Sequence, residues 1–114
     1  MATIYHNPRC GTSRTVLQKL QDKGIDPTIV EYLKTPLDQK AIARLIRDAG
    51  LTAREAIRAK EPVFKELGLD APDLSEAQLI AAMAANPILL NRPFVVTAKG
   101  TRLCRPADVV DEIL

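Results

Sequence analysis

The sequence predicts an α/β fold made of a βαβ opening, an inserted helical region, a β-hairpin and a C-terminal helix. Three observations predict it. A β-branched run near the N-terminus is followed by apolar residues at helical spacing and then by a second β-branched run. The middle of the chain carries helix-start signals one after another. Two apolar runs then flank a Lys99-Gly100 turn before a last amphipathic stretch.

In chain order, "TIYH" reads as the first strand, and "TSRTVLQKLQDKG" as a helix burying Val16, Leu17 and Leu20 and closed by Gly24. "TIVEYL" is the second strand. Thr35 with Pro36 and Asp38, Thr52 with Glu55, and Ser75 with Gln78 each set a hydroxyl three residues before an acid or amide, the spacing of a capping box. The first of these opens a helix with Ile42, Leu45 and Ile46 that stops at Gly50. The last opens one with Leu79, Ile80 and Met83 that stops before Pro87. "FVVTA" and "TRLC" form the hairpin, and "RPADVVDEIL" is read as a closing helix with Pro106 at its first position. No repeat, low-complexity tract or linker interrupts residues 1–114, so a single domain is expected.

Composition narrows the function. A chain of 114 residues that is 46% hydrophobic and 26% charged has the make-up of a soluble protein with one core. Its 16 basic and 14 acidic residues give a net charge of +2, and the basic ones are scattered, which speaks against a nucleic-acid stripe. The longest apolar run, "LIAAMAA", ends at Asn86 and Pro87, well short of the roughly 20 residues of a membrane span. "MATIYHNPRC" has neither the basic n-region nor the apolar h-region of a secretory signal, so a cytoplasmic location is expected. Two cysteines and one histidine do not make a tetrahedral Cys/His zinc site, and no tightly bound cofactor or metal is expected. The sequence leaves a Cys10–Cys104 disulfide open, although a reducing compartment favours free thiols.

The chemistry concentrates in "YHNPRCGTSR". Cys10 follows a strand, with Thr12 or Ser13 as the expected N-cap of the next helix, so its sulfur should lie near unpaired helix N–H groups that favour a thiolate. His6, Arg9 and Arg14 are placed to add to that field. The competing reading is a small buried hydrophobe, the common fate of free cysteine. His6 is either a strand-end histidine bonded to backbone or a neighbour that tunes the thiolate. Ser13 is either a donor to the sulfur, a helix cap, or both. The third position after Cys10 is Ser13, so there is no C-x-x-C and no self-contained dithiol cycle at this turn. Arg14 comes only four residues after Cys10, so the C-x5-R loop of cysteine phosphatases is also missing.

Together with "ILLNRPFVV" and "GTRLCRP", this stretch closely resembles the glutaredoxin-linked arsenate reductases of the ArsC family, over essentially the whole chain. The resemblance implies a thioredoxin-like fold with an inserted helical region. It also implies Cys10 as the nucleophile attacking arsenate, with His6 and Ser13 beside it. Arg58 in "AIRAKEP", Arg92 in "NRP" and Arg105 in "CRP" are implied as the anion-binding arginines, and we add Arg14 to the candidate substrate-binding set. Guanidinium suits the task, since it stays charged and donates two parallel hydrogen bonds to a tetrahedral oxyanion. Pro93 matches the position that is usually a cis-proline in such folds. Cys104 reads as core rather than as a resolving thiol. A longer C-terminal tail, found in some members, lies beyond the matched segment and is expected to be dispensable for the chemistry.

The implied cycle has Cys10 displacing water from arsenate, glutathione attacking the adduct, and glutaredoxin supplying a second thiol before arsenite leaves. Glutathione is then a co-substrate, and the partners are arsenate, glutathione and glutaredoxin, with no nucleic acid and no membrane. Two alternatives share the resemblance: an Spx-like regulator that binds RNA polymerase without turnover, and a glutathione-dependent thiol-disulfide reductase. The first uses C-x-x-C at this turn when it senses redox state, and neither has an obvious use for three anion-binding arginines.

Overall fold

The computed structural model describes all residues from Met1 to Leu114. The chain divides into two compact units, one made of residues 1–35 and 92–114 and the other of residues 36–91.

The first unit is built on a four-stranded mixed sheet. Strands β1 (Thr3–His6) and β2 (Thr28–Glu31) run parallel on either side of helix α1 (Gly11–Asp22) in sequence. β3 (Phe94–Thr97) lies antiparallel to β1 and forms a hairpin with β4 (Gly100–Leu103), giving the order β2-β1-β3-β4. Ile4 and Val95 are register partners, so both project to the same face of the sheet. There they meet Val16 and Leu20 of α1, Cys104, and Val110 and Ile113 of the C-terminal segment in one buried cluster. Beyond Lys23, which closes α1, Gly24 takes a positive φ of 76° and Ile25 N–H returns to the Leu20 carbonyl, the turn that residue position calls for.

Four expectations are corrected here. The C-terminal segment is a 3-10 helix, Ala107–Ile113, with Pro106 outside it as the N-cap. In that geometry residues three apart eclipse, and this brings Val110 and Ile113 onto one buried stripe, while Thr97 Oγ1 donates to the Ile113 carbonyl and ties down the end. α1 is capped by Cys10 rather than by Thr12 or Ser13, because Ser13 is fully buried with its hydroxyl engaged elsewhere. β2 ends at Glu31, where Lys34 and Thr35 N–H groups turn back onto the Glu31 carbonyl. The first helix of the middle region is capped by Asp38, whose carboxylate accepts from Ala41 N–H, and not by Thr35.

The second unit is helical. It holds α2 (Gln39–Asp48), α3 (Ala53–Ala56), α4 (Pro62–Glu66), α5 (Glu76–Ala85) and a 3-10 turn, Pro87–Leu89. Thr52 with Glu55 and Ser75 with Gln78 form complete capping boxes, each satisfying two otherwise orphaned donors. Ile42, Leu45, Ile46, Ala53, Ala56, Ile57, Phe64, Leu69, Leu79, Met83, Leu89 and Leu90 are its buried apolar residues. Glu76 does double service, lying in the first turn of α5 and accepting from Ala53 N–H at 2.9 and 3.0 Å, which fixes the start of α3. No helix in either unit is long and apolar enough to cross a membrane.

Leu20 is fully buried in the first unit, whereas Leu67 is exposed. Leu20→Ala is expected to lower unfolding free energy by about 2–5 kcal/mol, and Leu67→Ala by no more than about 0.5 kcal/mol, read from urea transitions.

Candidate active site

The turn from β1 into α1 is built on a ladder of short-range hydrogen bonds. Asn-Pro is a turn-forming pair, and Asn7 is used at three of its polar groups. Its carbonyl accepts from Cys10 N–H at 3.0 Å, its side-chain Oδ1 accepts from Arg9 N–H at 2.9 Å, and its own N–H donates to Ser13 Oγ at 3.1 Å. Cys10 is thereby held in extended conformation at the N-cap of α1, and its carbonyl accepts from Arg14 N–H as the helix begins. Asn7, buried at the centre of this ladder, escaped the sequence reading. Its only sequence signal was the Asn-Pro dipeptide itself.

Three groups come together on the sulfur. Arg105 Nη1 lies 3.5 Å from Cys10 Sγ and also donates to the Arg92 carbonyl at 2.9 Å. The Arg92 side chain, itself buried, and the Ser13 N–H also favour the ionised sulfur. Burial opposes ionisation and is the largest single influence on the thiol. The Ser13 N–H, the hydrogen bonds from Arg105 and Arg92 and the Arg105 charge together outweigh it, and they bring Cys10 down to about 7. Cys104 shows the opposite balance. It is completely buried in the apolar cluster, its sulfur donates to the Arg102 carbonyl at 3.7 Å, and burial pushes it up to about 12. Both cysteines are free.

The remaining candidates make other contacts. His6 reaches it through another residue: its Nδ1 lies 2.7 Å from Ser13 Oγ. Burial lowers the His6 pKa, with Glu31 working against that shift and Arg14 with it, so the ring favours its neutral form and supplies no cationic charge. The Ser13 hydroxyl is occupied by His6 and Asn7, and it is the Ser13 backbone that acts on the sulfur. Arg14 donates from Nη1 to the Pro8 carbonyl at 2.9 Å, bracing the turn from outside. Arg58 belongs to the helical unit. There its N–H donates to the Leu89 carbonyl at 2.7 Å, Ile57 bridges to Leu90, and Nε pairs with Glu61 at 3.2 Å. The Arg92–Pro93 bond is cis, as expected, and so is Arg105–Pro106. No group of histidine, cysteine and carboxylate side chains is arranged to hold a metal ion.

A thiol whose folded value lies near 7, against an ordinary 9.0, stabilises the folded state as its thiolate. That contribution is complete above the ordinary value and is lost as pH falls through about 7. Alkylation of the native protein by iodoacetamide should therefore follow a midpoint near pH 7 at Cys10 and leave Cys104 untouched until denaturant is added. Arg105→Ala should move that midpoint upward, toward an ordinary thiol. Peptide mapping across a pH series reads both.

The ArsC family model matches residues 5–113. The arsenate reductase of Rhizobium meliloti (strain 1021) is 55% identical over 112 residues, covering 98% of this chain and 80% of that protein. The arsenate reductase of Escherichia coli (strain K12) is 48% identical, covering 98% of this chain and 79% of that protein. Among solved structures, the arsenate reductase from Vibrio cholerae superposes with a TM-score of 0.95 at 42% identity, covering 99% of this chain and 97% of that one. The fold is thus the thioredoxin-like arrangement anticipated above. With the Cys10 turn, the hairpin and the helical region all inside the matched span, the chain belongs to the ArsC family.

Proposed function

We propose that this protein is an arsenate reductase that forms a Cys10 thiol-arsenate adduct and draws its electrons from glutathione and glutaredoxin. The observation that carries the reading is the guanidinium of Arg105 at 3.5 Å from the Cys10 sulfur, with Arg92 acting on the same atom. An oxyanion with two negative charges repels a thiolate, so the site must neutralise both at once. Two arginines converging on the sulfur suit that double demand, and the 45–55% identical relatives named for this activity agree with it.

In this reading Cys10 attacks arsenic and water leaves, making a sulfur–arsenic bond. Reduction from As(V) to As(III) takes two electrons, supplied by one glutathione thiol and one glutaredoxin thiol that end joined as a disulfide. Hydrolysis of the remaining sulfur–arsenic bond returns Cys10 as a thiol and releases arsenite. External thiols are needed because Ser13 stands where a second cysteine would be, and Cys104, buried and pushed up to about 12, is unsuited to the role. Arg58 is assigned as a third anion ligand, while His6 and Ser13 are positioning residues that hold the Asn7–Cys10 turn. We take residues 1–114 as one functional domain working in the cytoplasm.

The test is arsenate-dependent NADPH consumption with glutathione, glutaredoxin and glutathione reductase, leaving out each component in turn. Turnover that survives without glutathione or glutaredoxin would overturn the external-thiol cycle. Cys10→Ser is expected to abolish turnover while Cys104→Ser keeps most of it; comparable losses would sink the single-thiol mechanism. Arg92→Ala is expected to raise the KM for arsenate by roughly tenfold or more, the scale of a hydrogen bond to a charged group at ~1.5–3 kcal/mol. The same variant should unfold at nearly the wild-type urea midpoint.

A further inference from the structure

A groove beside the nucleophile turn has no part in anion binding as derived above. It encloses about 310 Å³ and is lined by Asn7, Pro8, Arg9, Glu31, Leu33 and Lys34. We propose that this groove seats the small thiol co-substrate, a zwitterionic γ-glutamyl peptide of the glutathione class, and so delivers its sulfur to the adduct on Cys10. The inference rests on the reductase reading and adds to it a binding site.

Position comes first. Asn7, Pro8 and Arg9 lead directly into Cys10, and the Cys10 N–H closes that turn on the Asn7 carbonyl at 3.0 Å. Glu31 is the sheet partner of His6, so the end of β2 lies beside the start of the same turn. The Lys34 N–H folds back onto the Glu31 carbonyl at 2.9 Å, bringing Leu33 and Lys34 round to complete the wall. A ligand in the groove therefore lies along the segment that leads into Cys10 and that the Cys10 N–H closes. The volume is at the small end of the range for small-molecule sites and suits a tripeptide.

Charge supplies the class of ligand. The groove offers two cations and one anion, Arg9, Lys34 and Glu31, together with an apolar wall of Pro8 and Leu33. A γ-glutamyl tripeptide thiol carries two carboxylates, one ammonium and a short methylene stem, the complementary set. The Arg9 guanidinium makes no hydrogen bond or ion pair, and only the Arg9 backbone N–H is engaged, donating to Asn7 Oδ1. Lys34 Nζ stands 3.6 Å from Glu31, but its side chain is 79% exposed. An exposed pair of that kind contributes little, so either member can exchange its partner for a ligand group at small cost. Leu33 is among the few large hydrophobic side chains left exposed on the protein, and a ligand stem would cover it.

S-methylglutathione, which cannot react, is the probe, titrated into the reduced full-length protein and followed by amide NMR. Shifts are expected at Arg9, Glu31, Leu33 and Lys34, and affinity should fall by about tenfold or more in Arg9→Glu/Lys34→Glu. The charge-conserving Arg9→Lys/Lys34→Arg should stay within about threefold of wild type. Shifts confined to other residues, or equal affinity in the charge-reversed protein, would overturn the groove. In turnover, the charge-reversed protein should show a raised KM for glutathione with the arsenate KM within about twofold. A parallel rise in both constants would mean only a lost positive field and would count against the site. Should wild type fail to reduce arsenate at all, the reductase reading falls, and the NMR titration still decides whether the groove binds the peptide.

Discussion

The charge on the Cys10 sulfur is the constraint around which the first unit is arranged. Burying a thiolate is costly, and the cost is met by a guanidinium that contacts the sulfur at 3.5 Å while donating to the Arg92 carbonyl at 2.9 Å. That pair of contacts exists only because the β3–β4 hairpin places its two ends together. Phe94 pairs with Leu103, so Arg92, two residues before β3, and Arg105, two residues after β4, come together at the open end of the hairpin. Register, in this sense, is electrostatics: the strand pairing decides where the positive charge sits. The buried Val95 and Cys104 keep that register, because a slip would turn apolar side chains out of the core.

The two thiols show how completely environment outweighs residue type. Both begin as the same group, and burial pushes both upward, though only Cys104 is fully buried. Cys10 meets N–H donors and two arginines and ionises near neutrality, while Cys104 is pushed up by burial, with Glu112 and Asp111 adding to that shift and Arg102 opposing it, and stays protonated far above it. The same division separates chemistry from packing elsewhere in the turn. Asn7, Ser13 and His6 are all buried, polar and mutually bonded, and they hold geometry without contributing charge.

What could be read in the sequence was whatever depends on near neighbours. The boxes at Thr52–Glu55 and Ser75–Gln78, the glycine ends at Gly24 and Gly50, and the hairpin around Lys99-Gly100 all follow from spacings of a few residues. The convergence of Arg92 and Arg105 on Cys10 was reached through family resemblance, since no local rule joins residues so far apart. The features missed depend on burial. Whether Ser13 caps a helix or bonds His6 is decided by the sheet beneath it, and the neutral state of His6 is decided by desolvation that spacing does not encode. The final segment kept its amphipathic pattern but adopted 3-10 geometry, because Val110 and Ile113 match an i,i+3 stripe and the hairpin clamps the end through Thr97.

Arg105 stands 95 positions after the sulfur it activates. While the chain is still being synthesised, or whenever it is unfolded, Cys10 has neither arginine beside it and is an ordinary, mostly protonated thiol. The low-pKa thiol is thus assembled by folding itself, and in an unfolded chain only a small fraction of the Cys10 sulfur is ionised at neutral pH. Where the sulfur's ionisation is set is therefore a property of the folded topology and not of the turn alone.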